Sequence, residues 1–362
     1  MKKAVSLICS NSMSQNTIDS LASIFDYIHF DIMDKSMTTC VGLDFEDFIL
    51  IKDEYRKKVE VHIMSTQPDY LIKKCVKYSV GTISFHIESE CNIEEKINEI
   101  KNENIKAGLV ISPSTPIEKL IPFLPIVDYV TVLTVEPGPA GQKFQRRELN
   151  KVVLLGQYRE KYGYHFEIEV DGAINQSTYP DIVKSGADVS VFGKSGFFSL
   201  SDDLNQAHIV LDEYTKQNGI VYLHADLVGN SLKEYVKECI AKYGYKIIDL
   251  YTDGTAEYPE CAKELTQHVK QSRLNFGVLF CGTGIGMSMV ANRFPGIRAA
   301  VVSDVYTSKM SREHNDANVL CLGSRVTTKE EALLIIDAFF QTKFLFGKHS
   351  PRVERFDQNE ER

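Results

Sequence analysis

No stretch of the chain approaches the roughly 20 consecutive apolar residues of a membrane span. Its start, MKKAVSLICSNSMSQ, has two lysines but no sustained apolar run and no small-residue cleavage site. These absences point to a cytoplasmic protein with no membrane partner. There is no low-complexity tract and no long Gly/Pro/Ser stretch, so neither half is expected to be disordered. Positive charge is in the minority, 41 Lys+Arg against 49 Asp+Glu for a formal net charge of −8, which argues against nucleic acid as a partner. Any anionic ligand must then be held by local groups. The eight cysteines contain no C-x-x-C pair and no metal-finger spacing, and most read as buried reduced thiols.

What is present is ordinary globular composition, 43% hydrophobic and 25% charged, in 362 residues, a length that suits two cores. In the first half, short β-rich apolar runs alternate with helical stretches: residues 4–8, 27–32, 59–64, 81–86, 106–111, 129–135, 166–170 and 188–193. Eight such units predict an α/β fold, a (β/α)8 TIM barrel over about 1–215, with functional groups at the carboxyl ends of the strands. His29 and Asp31 sit there with period-two spacing, so both face one side of their strand, where His62 and Asp171 can converge with them. Two imidazoles and two carboxylates suit one divalent metal ion, Zn, Fe, Mn or Co. Each histidine has a plain alternative as a hydrogen-bonded core residue, and His86 reads equally as structural, substrate-orienting or ligating. Three glycine-bearing turns follow the last strands: Gly138 and Gly141 after the sixth, Gly172 after the seventh, and Gly193-Lys194-Ser195 after the eighth. They are candidate phosphate cradles.

HFDIMD (29–34), VHIM (61–64), VEPGPAGQKF (135–144) and EIEVDGAINQSTY (167–179) resemble the ribulose-phosphate 3-epimerase family, within it most the D-allulose-6-phosphate 3-epimerases. The resemblance implies a metal held by His29, Asp31, His62 and Asp171. It also implies Asp31 and Asp171 as the opposed acid/base pair, with Ser6, Met33 and Met64 lining the site. The chemistry agrees: inverting a carbon beside a ketone removes a proton from one face and returns it to the other, so two carboxylates are needed. The chain departs from the family at KSMTTCVGLDF (35–45), at Leu133 and at Pro139.

Near residues 216–219 the pattern restarts, giving a second domain over about 220–362 with strands at 220–225, 245–250 and 276–280. Ser231 and Glu234 have the spacing of a capping box. This βαβαβ order predicts a doubly wound, Rossmann-like parallel sheet. The third strand runs into Cys281-Gly282-Thr283-Gly284-Ile285-Gly286 and a helix, a setting that places a thiol and free amides at a helix start. The spacing is not G-x-G-x-x-G, which disfavours a dinucleotide loop.

CGTGIGMSMVANRFPGIRAA (281–300), SREHNDANVLCLGSR (311–325) and HSPRVER (349–355) resemble the ribose-5-phosphate isomerase B family, which includes galactose-6-phosphate isomerase subunits. The resemblance implies Cys281 as the base moving a proton between carbons 1 and 2, with the amides of Gly282, Gly284 and Gly286 on the enediolate. Thr283 and Asp226 would contact substrate. Lys348 and Arg352 would bind phosphate, and His314, Asn315 and Arg325 would complete the site, commonly across a dimer interface, with no cofactor in this domain. Where ribose-type members read Cys-Asp-His, this chain has Ala225-Asp226-Leu227, so the histidine expected to help open the sugar ring is absent. Jointly the two resemblances imply a bifunctional enzyme of phosphorylated sugars, at least dimeric, whose first reading is allose 6-phosphate to allulose 6-phosphate to fructose 6-phosphate. The alternatives are the ribose 5-phosphate, ribulose 5-phosphate, xylulose 5-phosphate route, and an epimerase whose isomerase domain serves as a sugar-phosphate sensor or dimerisation module.

Overall fold

The computed structural model describes residues 1–139 and 141–357. The chain divides into two compact units, Met1–Lys216 and Gln217–Arg362. Among the described residues no helix is long and apolar enough to cross a membrane.

In the first unit β1 (Lys2–Ser6), β2 (Tyr27–Met33), β3 (Val59–Met64), β4 (Thr82–His86), β5 (Lys106–Ile111), β6 (Tyr129–Leu133), β7 (Glu167–Asp171) and β8 (Val189–Phe192) close a parallel barrel in sequence order. Parallel strands covered by crossover helices are buried on both faces, and alternation then sorts side chains between barrel lumen and helix layer. On β2, Phe30 faces the outer layer, where its ring stacks on Phe48 with centroids 4.1 Å apart, while His29 and Asp31 face inward. Register aligns the functional strands: Ser6 lies opposite His29, Asp31 opposite His62, and Leu133 opposite Asp171.

The second unit is a five-stranded parallel sheet of order β10-β9-β11-β13-β12, built from β9 (Ile220–Ala225), β10 (Lys246–Asp249), β11 (Phe276–Cys281), β12 (Ala299–Val301) and β13 (Val319–Gly323). Two of these, β12 and β13, lie beyond the three strands expected from the sequence. Each face carries its own apolar cluster. Val221, Leu223, Val278 and Phe280 pack on helices Asn230–Ala241 and Lys329–Gln341, while Tyr222, Leu279 and Cys321 pack on Tyr258–Val269 and Ile285–Ala291. The sheet is therefore doubly wound, and strand order reverses between β9 and β11, where open α/β sheets form their ligand crevice.

The expected capping box is corrected. Gly229 precedes the helix, and Ser231 and Glu234 lie inside it. The amide of Gly229 is instead satisfied by Asp226 Oδ1 at 2.8 Å. All eight cysteines are free thiols, four buried and four partly exposed, so fewer are buried than the composition suggested.

Candidate active sites

At the carboxyl end of the barrel, β2, β3 and β7 bring four donors together. His29 Nε2 lies 3.3 Å from Asp31 Oδ1, 3.4 Å from His62 Nδ1 and 3.9 Å from Asp171 Oδ2, and His62 Nδ1 lies 3.2 Å from Asp31 Oδ1. All four donor atoms fall within 4.8 Å of one another. Donors about 2.1 Å from a tetrahedral metal stand about 3.4 Å apart, so a divalent cation fits this set without rebuilding it. Ser6 Oγ donates to the second oxygen of Asp31 at 2.9 Å, which orients that carboxylate.

Burial and charge drive the two carboxyls apart. Burial pushes Asp171 up to about 7, with the Asp31 and Glu169 charges adding and His29 opposing. Burial also acts to raise Asp31, but the His29 and His62 imidazoles hold it well below the usual carboxylate range. His29 is raised well above its ordinary value because, against the cost of burial, it faces Asp31, Glu169 and Asp171. His62 is lowered to about 4, chiefly by burial.

A polar layer beneath these donors escaped the sequence reading. Glu169 Oε1 stands 3.8 Å from His29 Nδ1 and accepts from Thr131 at 2.9 Å, and Tyr129 donates to its other oxygen at 3.2 Å. Glu60 is buried beside it and is pushed well up by burial and by the Glu169 charge. The signal was available: Glu60 and Glu169 each precede a donor by two residues, and period two puts them on the same strand face. His86 stands behind His62 and outside the four-donor group.

The glycine turns cluster on the same rim. Thr134 donates to the carbonyls of Asp171 and Gly172, at 3.0 and 2.6 Å, tying the loop after β6 to the end of β7. Gly172 has φ +115°, and a Cβ there would lie 2.7 Å from Val135 Cγ2, so both backbone and space require glycine. Ser195 Oγ donates to the Ile174 carbonyl at 3.4 Å, which joins the turn after β8 to the turn after β7. Lys194 and Gly141 are exposed, and Gly193 opens the helical turn Lys194–Phe198. The divergent segment 35–45 folds back on the rim: Leu43 N–H donates to the Asp31 carbonyl at 2.8 Å, and Thr38 Oγ1 would meet a Cβ on Gly138 at 2.8 Å.

In the second unit Cys281 ends β11 in the crevice, next to the segment leaving β9. The Gly284 amide donates to Cys281 Sγ at 3.1 Å, so one amide of the turn already faces the sulfur. Asp226 N–H donates to the Phe280 carbonyl at 3.2 Å. Arg325 is drawn to the turn by its amide, 3.0 Å from the Gly282 carbonyl, and its side chain would lie 3.5 Å from a Cβ on Gly282. Thr283 Oγ1 accepts from the Ile285 amide at 3.4 Å. Leu227 is exposed beside Asp226.

The remaining expected residues gather elsewhere. The His314 ring stacks on His349 at 4.4 Å, and the charges of His314, Lys348 and Arg352 add to the effect of burial in lowering His349. Asn315 lines a cavity of about 550 Å³ with Arg293, Arg298 and Phe356. No hydrogen bond or ion pair among the described residues joins His314, Asn315, Lys348 or Arg352 to Cys281.

Compared with known proteins, residues 3–198 match the ribulose-phosphate 3 epimerase family and residues 221–356 match ribose/galactose isomerase. A ribulose-phosphate 3-epimerase of Treponema pallidum is 36% identical over 173 residues, spanning 48% of this chain and 79% of that protein. Ribose-5-phosphate isomerase B of Escherichia coli is 39% identical over 139 residues, spanning 38% of this chain and 93% of that one. A D-erythrulose-4-phosphate isomerase of Pectobacterium atrosepticum is 37% identical over 138 residues, 37% of this chain and 91% of its own length.

Proposed function

The chain belongs to the ribulose-phosphate 3-epimerase family over residues 3–198 and to the ribose/galactose isomerase family over 221–356, and from that premise we propose that it performs consecutive reactions on one sugar phosphate. The second unit interconverts an aldose phosphate and its ketose. The barrel then inverts carbon 3 of that ketose. The observation that carries the reading is the convergence of Asp31 and Asp171 from separate strands, with environments that drive their ionisation in opposite directions.

In the barrel, one carboxylate takes the carbon-3 proton and the other returns a proton to the opposite face. Asp31, kept ionised, suits the base in one direction. Asp171 faces it from a separate strand and returns the proton on the opposite side, and the roles exchange in reverse. His29, Asp31, His62 and Asp171 would hold a divalent cation, which would supply positive charge to stabilise the enediolate. The turns at Gly138 and Gly141, at Gly172 and at Gly193–Ser195 hold the phosphate through backbone amides, with Lys194 at the rim. Ser6, Met33 and Met64 wall the sugar.

In the second unit, Cys281 moves the proton between carbons 1 and 2, while the amides of Gly282, Gly284 and Gly286 face the charge that develops on oxygen. Thr283, Asp226 and Arg325 contact substrate from the same crevice. His314, Asn315, Lys348 and Arg352 complete the crevice of a second copy, which makes the active form at least a dimer.

The relatives named for ribulose phosphate and ribose 5-phosphate favour the pentose route: ribose 5-phosphate to ribulose 5-phosphate to xylulose 5-phosphate. The hexose route from allose 6-phosphate through allulose 6-phosphate to fructose 6-phosphate is the second reading, favoured by the barrel motifs. Leu227, where a histidine is expected, favours a third, an isomerase unit reduced to sugar-phosphate sensing. One experiment separates them: supply ribose 5-phosphate and, separately, allose 6-phosphate to cation-loaded protein in deuterated water and follow products by NMR. Preferential xylulose 5-phosphate supports the pentose route, and preferential fructose 6-phosphate replaces it with the hexose route. Epimerisation of added ketose without any isomerisation supports the sensor.

A further inference from the structure

We infer that His86 and Glu88 are positioning residues for the cation site of the barrel, holding His62 in the one tautomer that turns its Nδ1 lone pair toward Asp31 and Asp171. This rests on the reading that His29, Asp31, His62 and Asp171 hold a divalent cation.

His62 Nδ1 faces the other donors, 3.2 Å from Asp31 Oδ1. Its Nε2 points away from them and lies 2.9 Å from His86 Nε2. Two neutral imidazoles share such a contact only when one nitrogen carries the hydrogen and the other accepts it. The next link decides which. His86 Nδ1 lies 3.0 Å from Glu88 Oε2, and Glu88 also accepts the Ser112 amide at 3.0 Å. An ionised carboxylate only accepts, so His86 Nδ1 carries a hydrogen, and in the neutral ring its Nε2 is left as a lone pair. With both rings neutral, His62 Nε2 is the donor, which leaves Nδ1 free for a metal. A carboxylate behind a ligating histidine sets that ligand's tautomer and raises its basicity. Here a second imidazole is interposed between them.

Packing makes the arrangement rigid. His86 is fully buried and its ring stacks on that of His62 at 5.1 Å with 20° between planes. The chain crosses from β3 to β4 and is anchored at the end of β5 through Ser112, so it does not depend on one loop. His29 has no equivalent: its buried Nδ1 makes no hydrogen bond among the described residues, and Glu169 Oε1 stands 3.8 Å away.

The test measures cation affinity by competition between Co²⁺ and a chromophoric chelator, using the full chain as wild type, His86→Leu, His86→Gln and Glu88→Ala, with the visible Co²⁺ spectrum recorded alongside. His86→Leu is expected to bind about 10–100-fold more weakly, the usual cost of losing such a partner, with an altered spectrum. His86→Gln keeps an acceptor oxygen and is expected to recover much of the loss, which a packing role alone would not produce. Glu88→Ala, at a partly exposed position, serves if His86→Leu does not fold, and is expected to weaken binding several-fold. Folded variants with wild-type affinity and spectrum overturn the inference alone. A wild-type chain that binds no divalent cation overturns it together with the metal reading beneath it.

Discussion

Cation binding in the barrel should release more protons as pH falls, because the donors must be stripped of hydrogen before they can ligate. Asp171, pushed up to about 7, holds roughly 0.9 proton at pH 6 and roughly 0.1 at pH 8 in the metal-free chain. His29 is raised above its ordinary value, chiefly by the charge of Asp31 working against burial, so any proton it carries adds to the release. His62, lowered to about 4, has none to give over this range. From Asp171 alone, release should therefore rise by roughly 0.8 proton per cation between pH 8 and pH 6, and affinity should fall about tenfold for each pH unit below 7. Titration calorimetry in buffers of different ionisation enthalpy counts the protons directly. Equal release at pH 6 and pH 8 would refute the electrostatic account of Asp171. In Asp171→Asn the step between the two pH values should shrink by that amount.

The two activities should separate by mutation. Cys281→Ser is expected to cut isomerisation by at least about 10²-fold and to leave ketose epimerisation unchanged, while Asp171→Asn should do the reverse; an assay of each half-reaction with its own substrate checks both. Ser6→Ala removes the hydroxyl that donates to Asp31, and losing a hydrogen bond to a charged group, about 1.5–3 kcal/mol, should lower the epimerase rate by roughly 10–100-fold with the fold intact by circular dichroism. Gly229→Ala should cost isomerase activity and the thermal stability of the second unit. Its Cβ would lie 2.2 Å from the Phe280 carbonyl oxygen and 2.7 Å from the Cys281 amide, so the end of β11 must shift. Unchanged isomerase kinetics in that variant would show that the crevice tolerates the shift.

Much of this protein is legible in its sequence because strand periodicity is a local property. The eight barrel strands announce themselves as short β-rich runs between helices, and the period-two spacing of His29 with Asp31 commits both to one face. The Cys281 turn is likewise marked by its glycines at a strand end. What the sequence left open was settled by register and by long-range packing. Nothing local says that His62 lies opposite Asp31, that His86 stands behind His62, or that Glu60 and Glu169 meet beneath the donors, since each pairing joins strands far apart in the chain. The capping box at Ser231 and Glu234 fails for the same reason. Gly229 must pass close to β11, which sets where the helix begins, and the Asp226 carboxylate accepts the Gly229 amide just before it. The edge strand Ala299–Val301, three residues long, is too short to show a period, whereas the inner strand Val319–Gly323 is as long as several barrel strands and its apolar run was there to be read; both complete the sheet around Cys281. Sequence alone determined which residues face inward on each strand and where the glycines stand. Tertiary structure alone decided which inward residues meet, because hydrogen-bonded register couples positions that no local pattern relates.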